Sequence, residues 1–231
     1  MTRNHPSSPA SWPCRLLSLA LSLSLAGVGS AQDILIYDNN THFHSATTAC
    51  NDLGLAFTQA TAGTFVTEMT VQTWDLVIFD LPSSEPTGAW QPLLESHIAA
   101  GGKASHTHWQ TTTLTATLQA AFEITAQGPH QALDLFQWNS HALFTTPNRV
   151  PSTIAATECG WGVDGIYLEP AGGGVAVGGF TATPAANQAA IVIGNANRTI
   201  FNGNVFDDYD PADSDSDGVK DIVELIQNEI R

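Results

Sequence analysis

The sequence predicts an α/β domain: an open, mainly parallel sheet flanked by helices in three layers, with antiparallel additions in the second half. Ile34-Leu35-Ile36-Tyr37-Asp38 and Leu76-Val77-Ile78-Phe79-Asp80 are short apolar runs ending in Asp, the look of strands buried on both faces. Segments with apolar residues at helical spacing follow them, so strand and helix alternate as parallel βαβ units require. After Glu123 helical periodicity fades, and Gly, Thr, Asn and Pro become frequent.

Taken in order, Asn39 to His44 is polar loop, and Ser45 stands where it can cap a helix whose face is Ala46, Ala49, Cys50 and Leu53, with Gly54 as its stop. Leu55 to Thr58 reads as a second strand. After Asp80 a loop covers Pro82 to Pro86. Trp90, Leu93, Leu94, His97 and Ile98 then recur at helical spacing before Gly101-Gly102. Lys103 to His108 reads as a fourth strand and Leu114 to Phe122 as a further helix. Gly165 to Leu168, Val175 to Val177, Ala190 to Ile193 and Thr199 to Phe201 read as strands joined by turns. A last helix over 221–231 places Ile222, Leu225, Ile226 and Ile230 on one face. No internal repeat is visible.

The N-terminus has the form of an export signal: Arg3 and Arg15, an apolar run from Leu16 to Val28, and small residues Gly29-Ser30-Ala31 before Gln32. That run is shorter than the ~20 residues a bilayer span needs. The expectation is a signal peptide over 1–31 and one α/β domain over 32–231, secreted or periplasmic, with no membrane insertion. The formal net charge is −15, and cleavage would remove two arginines and no acidic residue. Such a chain repels nucleic acid and anionic membranes and suits a cation. Cys50 and Cys159 would remain. In an oxidising compartment they could form one disulfide, whereas the apolar helix face around Cys50 suits a buried thiol.

Residues 213–224, Asp-Ser-Asp-Ser-Asp-Gly-Val-Lys-Asp-Ile-Val-Glu, carry the strongest chemistry. Oxygen donors occupy positions 1, 3, 5, 9 and 12 and Gly occupies position 6, the spacing of an EF-hand calcium loop. The metal ligands expected are Asp213, Asp215 and Asp217, the carbonyl of Val219, Asp221 directly or through water, and Glu224 with both oxygens. Gly218 permits the sharp turn. Crowded carboxylates repel unless a hard cation neutralises them, and calcium accepts six to eight oxygens in irregular geometry. Gly203 and Pro211 oppose a normal entering helix. Lys220 stands where paired EF-hands carry an apolar residue. A lone clamp on the last helix fits better than a paired sensor, within an acidic stretch over 207–224.

Ile34–Asp38, Trp74 to Asp80, the helix from Trp90 ending in Gly-Gly-Lys and the late Asn202-Gly203-Asn204-Val205-Phe206 together resemble the class I glutamine amidotransferase-like superfamily, notably its trehalose-utilisation-type secreted branch. The resemblance implies a flavodoxin-like three-layer fold. It also implies a nucleophilic Cys on the turn after a central strand. The matching segment, Lys103 to Trp109, has no Cys, so amidotransferase activity does not carry over.

A second candidate site is histidine-rich. His42 and His44 follow the first strand, and His106 and His108 lie at the end of the fourth, near strand-ending Asp38 and Asp80. The carboxyl edge of an open parallel sheet is where ligands bind, and imidazoles with a carboxylate suit zinc or a similar metal. Asp134, Glu158 and Glu169 have nothing to pair them as glycosidase carboxylates, and Trp90, Trp109, Trp138 and Trp161 suit a core as well as a sugar platform. The expectation is a secreted, non-catalytic domain holding calcium structurally, with an extracellular protein or polysaccharide as possible partner. The alternative is a metal-dependent hydrolase or carbohydrate-active protein built on the histidines.

Overall fold

Apolar runs that cannot face water on either side become the centre of the sheet. In the computed structural model they form β1 (Ile34–Asp38), β2 (Thr58–Ala60), β3 (Leu76–Asp80) and β4 (Lys103–Thr107), interleaved with helices α1 (Ser45–Asp52), α2 (Phe65–Val71) and α3 (Trp90–Ala99). Described residues are 32–231 apart from 40–41, 82, 132 and 158–163. The expected export segment 1–31, together with Glu158, Cys159 and Trp161, lies outside them. The short helix α4 (Ala116–Ala121) leads into β5 (Ile124–Gln131), β6 (Leu135–Gln137), β7 (Thr153–Ile154), β8 (Asp164–Pro170), β9 (Val175–Gly179), β10 (Ala189–Gly194) and β11 (Thr199–Asn202). Helix α5 (Asp221–Ile230) ends the chain.

Strands run in the order β2-β1-β3-β4-β11-β10-β9-β6-β7, with β8 and β5 branching from β10. The first five pair in parallel; the pairings beyond β11 are antiparallel. The fold is therefore the mixed α/β sheet that the sequence predicts. The chain turns from β1 out to β2 and then back across to β3, so the β1/β3 boundary is the switch point of the sheet, where a crevice opens at the carboxyl ends.

Side chains alternate across the sheet. Ile34, Ile36 and Ile78 join Ala46, Cys50, Ile222, Leu225 and Ile226 under α1 and α5. Leu35, Tyr37, Val77 and Phe79 join Phe65, Trp90, Leu94 and Leu118 under α2, α3 and α4. Burial pushes the Cys50 thiol up to about 11.

Several boundaries differ from expectation. The second strand is Thr58–Ala60, because pairing with β1 runs from Leu35↔Thr58 to Tyr37↔Ala60 and leaves Leu55 outside the ladder. Ser45 is the first residue of α1 and not its cap; His44 takes that place, and no side chain caps the helix. Helix α2 was not anticipated. Neither was β5, which contains Gly128 and Pro129 and carries a register shift between Ala126 and Gly128; such residues break a strand pattern in the sequence but are accommodated at a bulge.

Candidate metal centre

The acidic loop folds back on itself through its own carboxylates. The backbone N–H of Gly218 donates to Asp213 Oδ2 at 3.2 Å, that of Asp217 to Asp215 Oδ1 at 3.2 Å and that of Val219 to Asp217 Oδ1 at 2.7 Å. Ser216 and Gly218 adopt φ of 62° and 95°, a left-handed backbone that Gly takes without steric cost. These turns bring one oxygen each of Asp213, Asp215 and Asp217 within 4.8 Å of one another, the group of potential metal ligands that converges among the described residues. Asp213 Oδ1 and Glu224 Oε2 are buried with no hydrogen-bond partner there. Burial, with Asp215, Asp217, Asp221 and Asp213 nearby, pushes the Glu224 carboxyl up to about 7, so Glu224 shares the field of the aspartates. Asp221 is engaged by Ser214, whose N–H and hydroxyl donate to it at 3.0 and 2.6 Å.

The loop is framed on both sides. A 3-10 turn over Phe206–Tyr209 precedes it where a sensor EF-hand has a helix. Lys220 forms an ion pair with Asp210 and lies 4.6 Å over the Phe43 ring. Behind the loop, α5 is pinned by polar contacts: Ser105 Oγ donates to Glu229 Oε2 at 2.6 Å, Asn228 Nδ2 donates to the Leu143 carbonyl at 2.8 Å, and the Asn148 N–H donates to Asn228 Oδ1 at 2.9 Å.

The four histidines separate by the pleat. Ala104, His106 and His108 alternate onto the α3 side of the sheet. His106, 0% exposed, stacks on Phe79 at 4.6 Å between centroids and also meets Trp90, Phe201 and Phe122. Burial, then neighbouring His108, holds its imidazole well below the usual value. His108 Nε2 lies 2.8 Å from Thr113 Oγ1 and 4.0 Å from Glu85 Oε1, and burial lowers its pKa to about 4. His44, exposed at the start of α1, places Nδ1 3.1 Å from Asp38 Oδ1 on the α5 side. His42 is exposed in the same loop. Strand parity thus assigns His106 and His108 to one face and the His44 pairing to the other, and the four do not make one site. His97 Nε2 lies 2.9 Å from the Lys103 carbonyl and packs on Gly102.

Sequence reasoning placed Asp38 and Asp80 at the carboxyl edge and missed the polar row they form there. Asp38, Asp80, Thr107 and Asn202 are successive partners across β1, β3, β4 and β11. Their parity turns them toward α5, where Asn202 Nδ2 donates to Glu229 Oε2 at 3.3 Å. Asp80 is 0% exposed with neither oxygen hydrogen-bonded among the described residues. Burial first, then Asp38, Asp207 and Glu229, raise its pKa well above the carboxylate range. Burial followed by Asp208, Asp38 and Asp210 pushes Asp207 up to about 8. The signal was present: two apolar strands each ending in Asp.

No family model matches the chain, and no curated protein matches it. Solved structures do. A ThuA-like protein from Bacteroides uniformis matches with TM-score 0.55 at 12% identity, over 90% of this chain and 94% of its own. A protein assigned as a GMP synthase component from Thermoplasma acidophilum matches with TM-score 0.54 at 12% identity, over 87% of this chain and 94% of its own. A glutamine amidotransferase from Methylobacillus flagellatus reaches TM-score 0.50 at 9% identity, over 77% and 70%. At these identities the likeness shows the fold: this chain has an amidotransferase-like α/β architecture.

Proposed function

We propose that the chain is an exported, non-catalytic α/β domain that holds calcium structurally at residues 213–224. The observation that carries this reading is the convergence of Asp213, Asp215 and Asp217 within 4.8 Å, with a buried Glu224 oxygen left unpartnered beside them. The donors are hard oxygens, and the loop's left-handed turns hold them ahead of the last helix. Asp213, Asp215, Asp217 and Glu224 would supply carboxylate oxygens and Val219 its carbonyl. Asp221 would contribute through water, since Ser214 takes both its oxygens. Calcium would neutralise the loop and fix the start of α5, so binding energy becomes folding energy. An extracellular module works with a weak site of about 10⁻⁴–10⁻³ M.

At a hundredfold excess over Kd such a site adds about 2.7 kcal/mol, a rise in Tm of roughly 5–10 °C for a domain of this size. Melting in chelator and in 10 mM calcium, about a hundredfold excess at the tighter end of that range and about tenfold, with about half the effect, at the weaker end, measures it. The rise shrinks in Asp217→Ala, and identical melting of the wild type with and without calcium sinks the reading.

The second reading, a metal-dependent hydrolase or carbohydrate-active protein, keeps one favourable observation: His44 is oriented by the nearly buried Asp38 at the β1/β3 crevice. Zinc or iron retained through purification at near one equivalent, and lost in His44→Ala, would favour it. A metal-free preparation removes it. The turn after β4 holds no Cys, so amide hydrolysis through a thiol is not proposed.

A further inference from the structure

The row at the carboxyl edge of the sheet is a second concentration of unpartnered oxygen donors, independent of the acidic loop. Strand register sets Asp38, Asp80 and Thr107 side by side on β1, β3 and β4, and the pleat turns all three toward α5. Asp207 reaches the row from the turn after β11, within the electrostatic range of Asp38 and Asp80. These groups are sealed from solvent: Asp80 and Asn204 are 0% exposed, Thr107 1%, Asp207 3% and Ser45 2%. Asp80 Oδ1 and Oδ2, Asp207 Oδ1, Thr107 Oγ1, Ser45 Oγ and both amide atoms of Asn204 have no hydrogen-bond partner among the described residues. Buried polar atoms are almost always satisfied, and a single orphan costs about 1–3 kcal/mol. Seven on five residues, with Asp80, Thr107 and Asp207 in the row, Asn204 two positions past Asn202 of the row and Ser45 next to the His44 that pairs with Asp38, mark a place built for something that supplies the missing partner.

The chemistry of the donors selects the ligand class. Every one of the five residues offers an oxygen, and two offer carboxylates. Around them stand Asp38, Asp208 and Glu229, and the His44 imidazole pairs with Asp38; Lys220 is committed to Asp210. An anion is therefore excluded, and the burial of every donor excludes a bulky polyol. Protons alone are a poorer answer, because two protonated carboxyls supply two donors to six unpartnered oxygens. We propose that Asp80 and Asp207, with the neutral oxygens of Thr107, Asn204 and Ser45, bind a hard divalent cation at the β1/β3 switch point, separate from the 213–224 loop. Two carboxylates and three neutral oxygens, rather than a carboxylate triad, fit the calcium class, which accepts six to eight oxygens; manganese shares that preference for carboxylate and carbonyl oxygen. The site occupies the crevice where open α/β sheets receive ligands, and it rests on no reading of the acidic loop.

The test counts equivalents on the mature chain after chelator dialysis, by isothermal titration with calcium and with manganese. The wild type is expected to bind two equivalents. Asp217→Ala, which touches only the exposed loop, retains one. Thr107→Val, close in shape and uncharged, leaves the loop equivalent intact and weakens the other at least tenfold. A wild type with one equivalent that survives Asp217→Ala and weakens in Thr107→Val would sink the loop reading and keep this one. No binding, a single equivalent lost in Asp217→Ala, or two equivalents that both ignore Thr107→Val overturns the proposal; in the last case the second cation sits elsewhere on the acidic surface. Asp217→Ala leaves the buried row unaltered, and a Thr107→Val protein that still binds the loop equivalent is folded, so its weakened second equivalent is read on a folded chain.

Discussion

His106 shows how a residue's chemistry is decided by which side of a strand it leaves. In the sequence it looks like a ligand, one of a His-x-His pair. In the fold it fills the place of an aromatic, stacked among Phe79, Trp90, Phe122 and Phe201 with neither ring nitrogen hydrogen-bonded among the described residues. Burying an imidazole without partners costs about 1–3 kcal/mol, and removing the polar atoms at constant shape relieves that cost. His106→Phe is expected to leave stability unchanged or raise it by about 1 kcal/mol in denaturant melts. A loss beyond ~2 kcal/mol would show that the imidazole is satisfied and used. Glu229 is the opposite case. Burial outweighs the hydrogen bonds from Ser105 and Asn202 and pushes its carboxyl up to about 7. Glu229→Gln keeps an acceptor for both donors and removes the charge. It is expected to melt like the wild type at pH 5 and above it at pH 8; equal melting at both values would show that Glu229 does not ionise inside the fold.

At the scale of elements, α5 is where the acidic loop and the buried row meet. Its N-terminus carries Glu224 of the loop, its apolar stripe of Ile222, Leu225 and Ile226 packs on the sheet, and Glu229 closes over the row beneath. Leu225→Ala leaves a cavity at a fully buried position and is expected to cost about 2–5 kcal/mol by urea unfolding; a cost below 1 kcal/mol would mean that α5 is not docked. The stripe was legible because its period is helical, as were β1, β3 and the stop at Gly101, whose φ is 98°. Helix α2 was not legible, because Thr67, Glu68 and Thr70 break the apolar pattern and Phe65 alone of its residues is buried. The loop at 213–224 could be read directly since its donors are consecutive in sequence. The row of Asp80, Thr107, Asn204 and Asp207 could not, because its members come from separate elements and only register brings them together. Strand parity was in fact written in Lys103 to His108: alternation alone puts Ser105 and Thr107 opposite His106 and His108.

At the scale of the whole molecule, the net charge of −15 is carried partly by carboxylates the fold has buried, and this sets how stability responds to pH. Asp80, Asp207, Glu224 and Glu229 all lie above their ordinary values. For each, the folded state holds its proton over a window in which the unfolded chain has released it. There the folded state binds more protons than the unfolded one, so stability falls as pH rises. The contribution is complete below about pH 4, the range of free carboxylates, and is lost through pH 7–8, where Glu224, Glu229 and Asp207 titrate in the fold. In chelator the protein is therefore expected to melt highest near pH 5 and to lose several degrees by pH 8. A cation bound by deprotonated carboxylates reverses this, because binding releases the protons that the cation-free fold retains. Each proton displaced makes apparent affinity rise about tenfold per pH unit. The calcium-dependent rise in Tm should accordingly be small at pH 5 and largest at pH 8. Calorimetric scans at pH 5, 6, 7 and 8, with calcium and with chelator, decide it. A chelated protein that is more stable at pH 8 than at pH 5, or a calcium effect equal at the two ends, would mean that neither the loop nor the buried row exchanges protons for a cation.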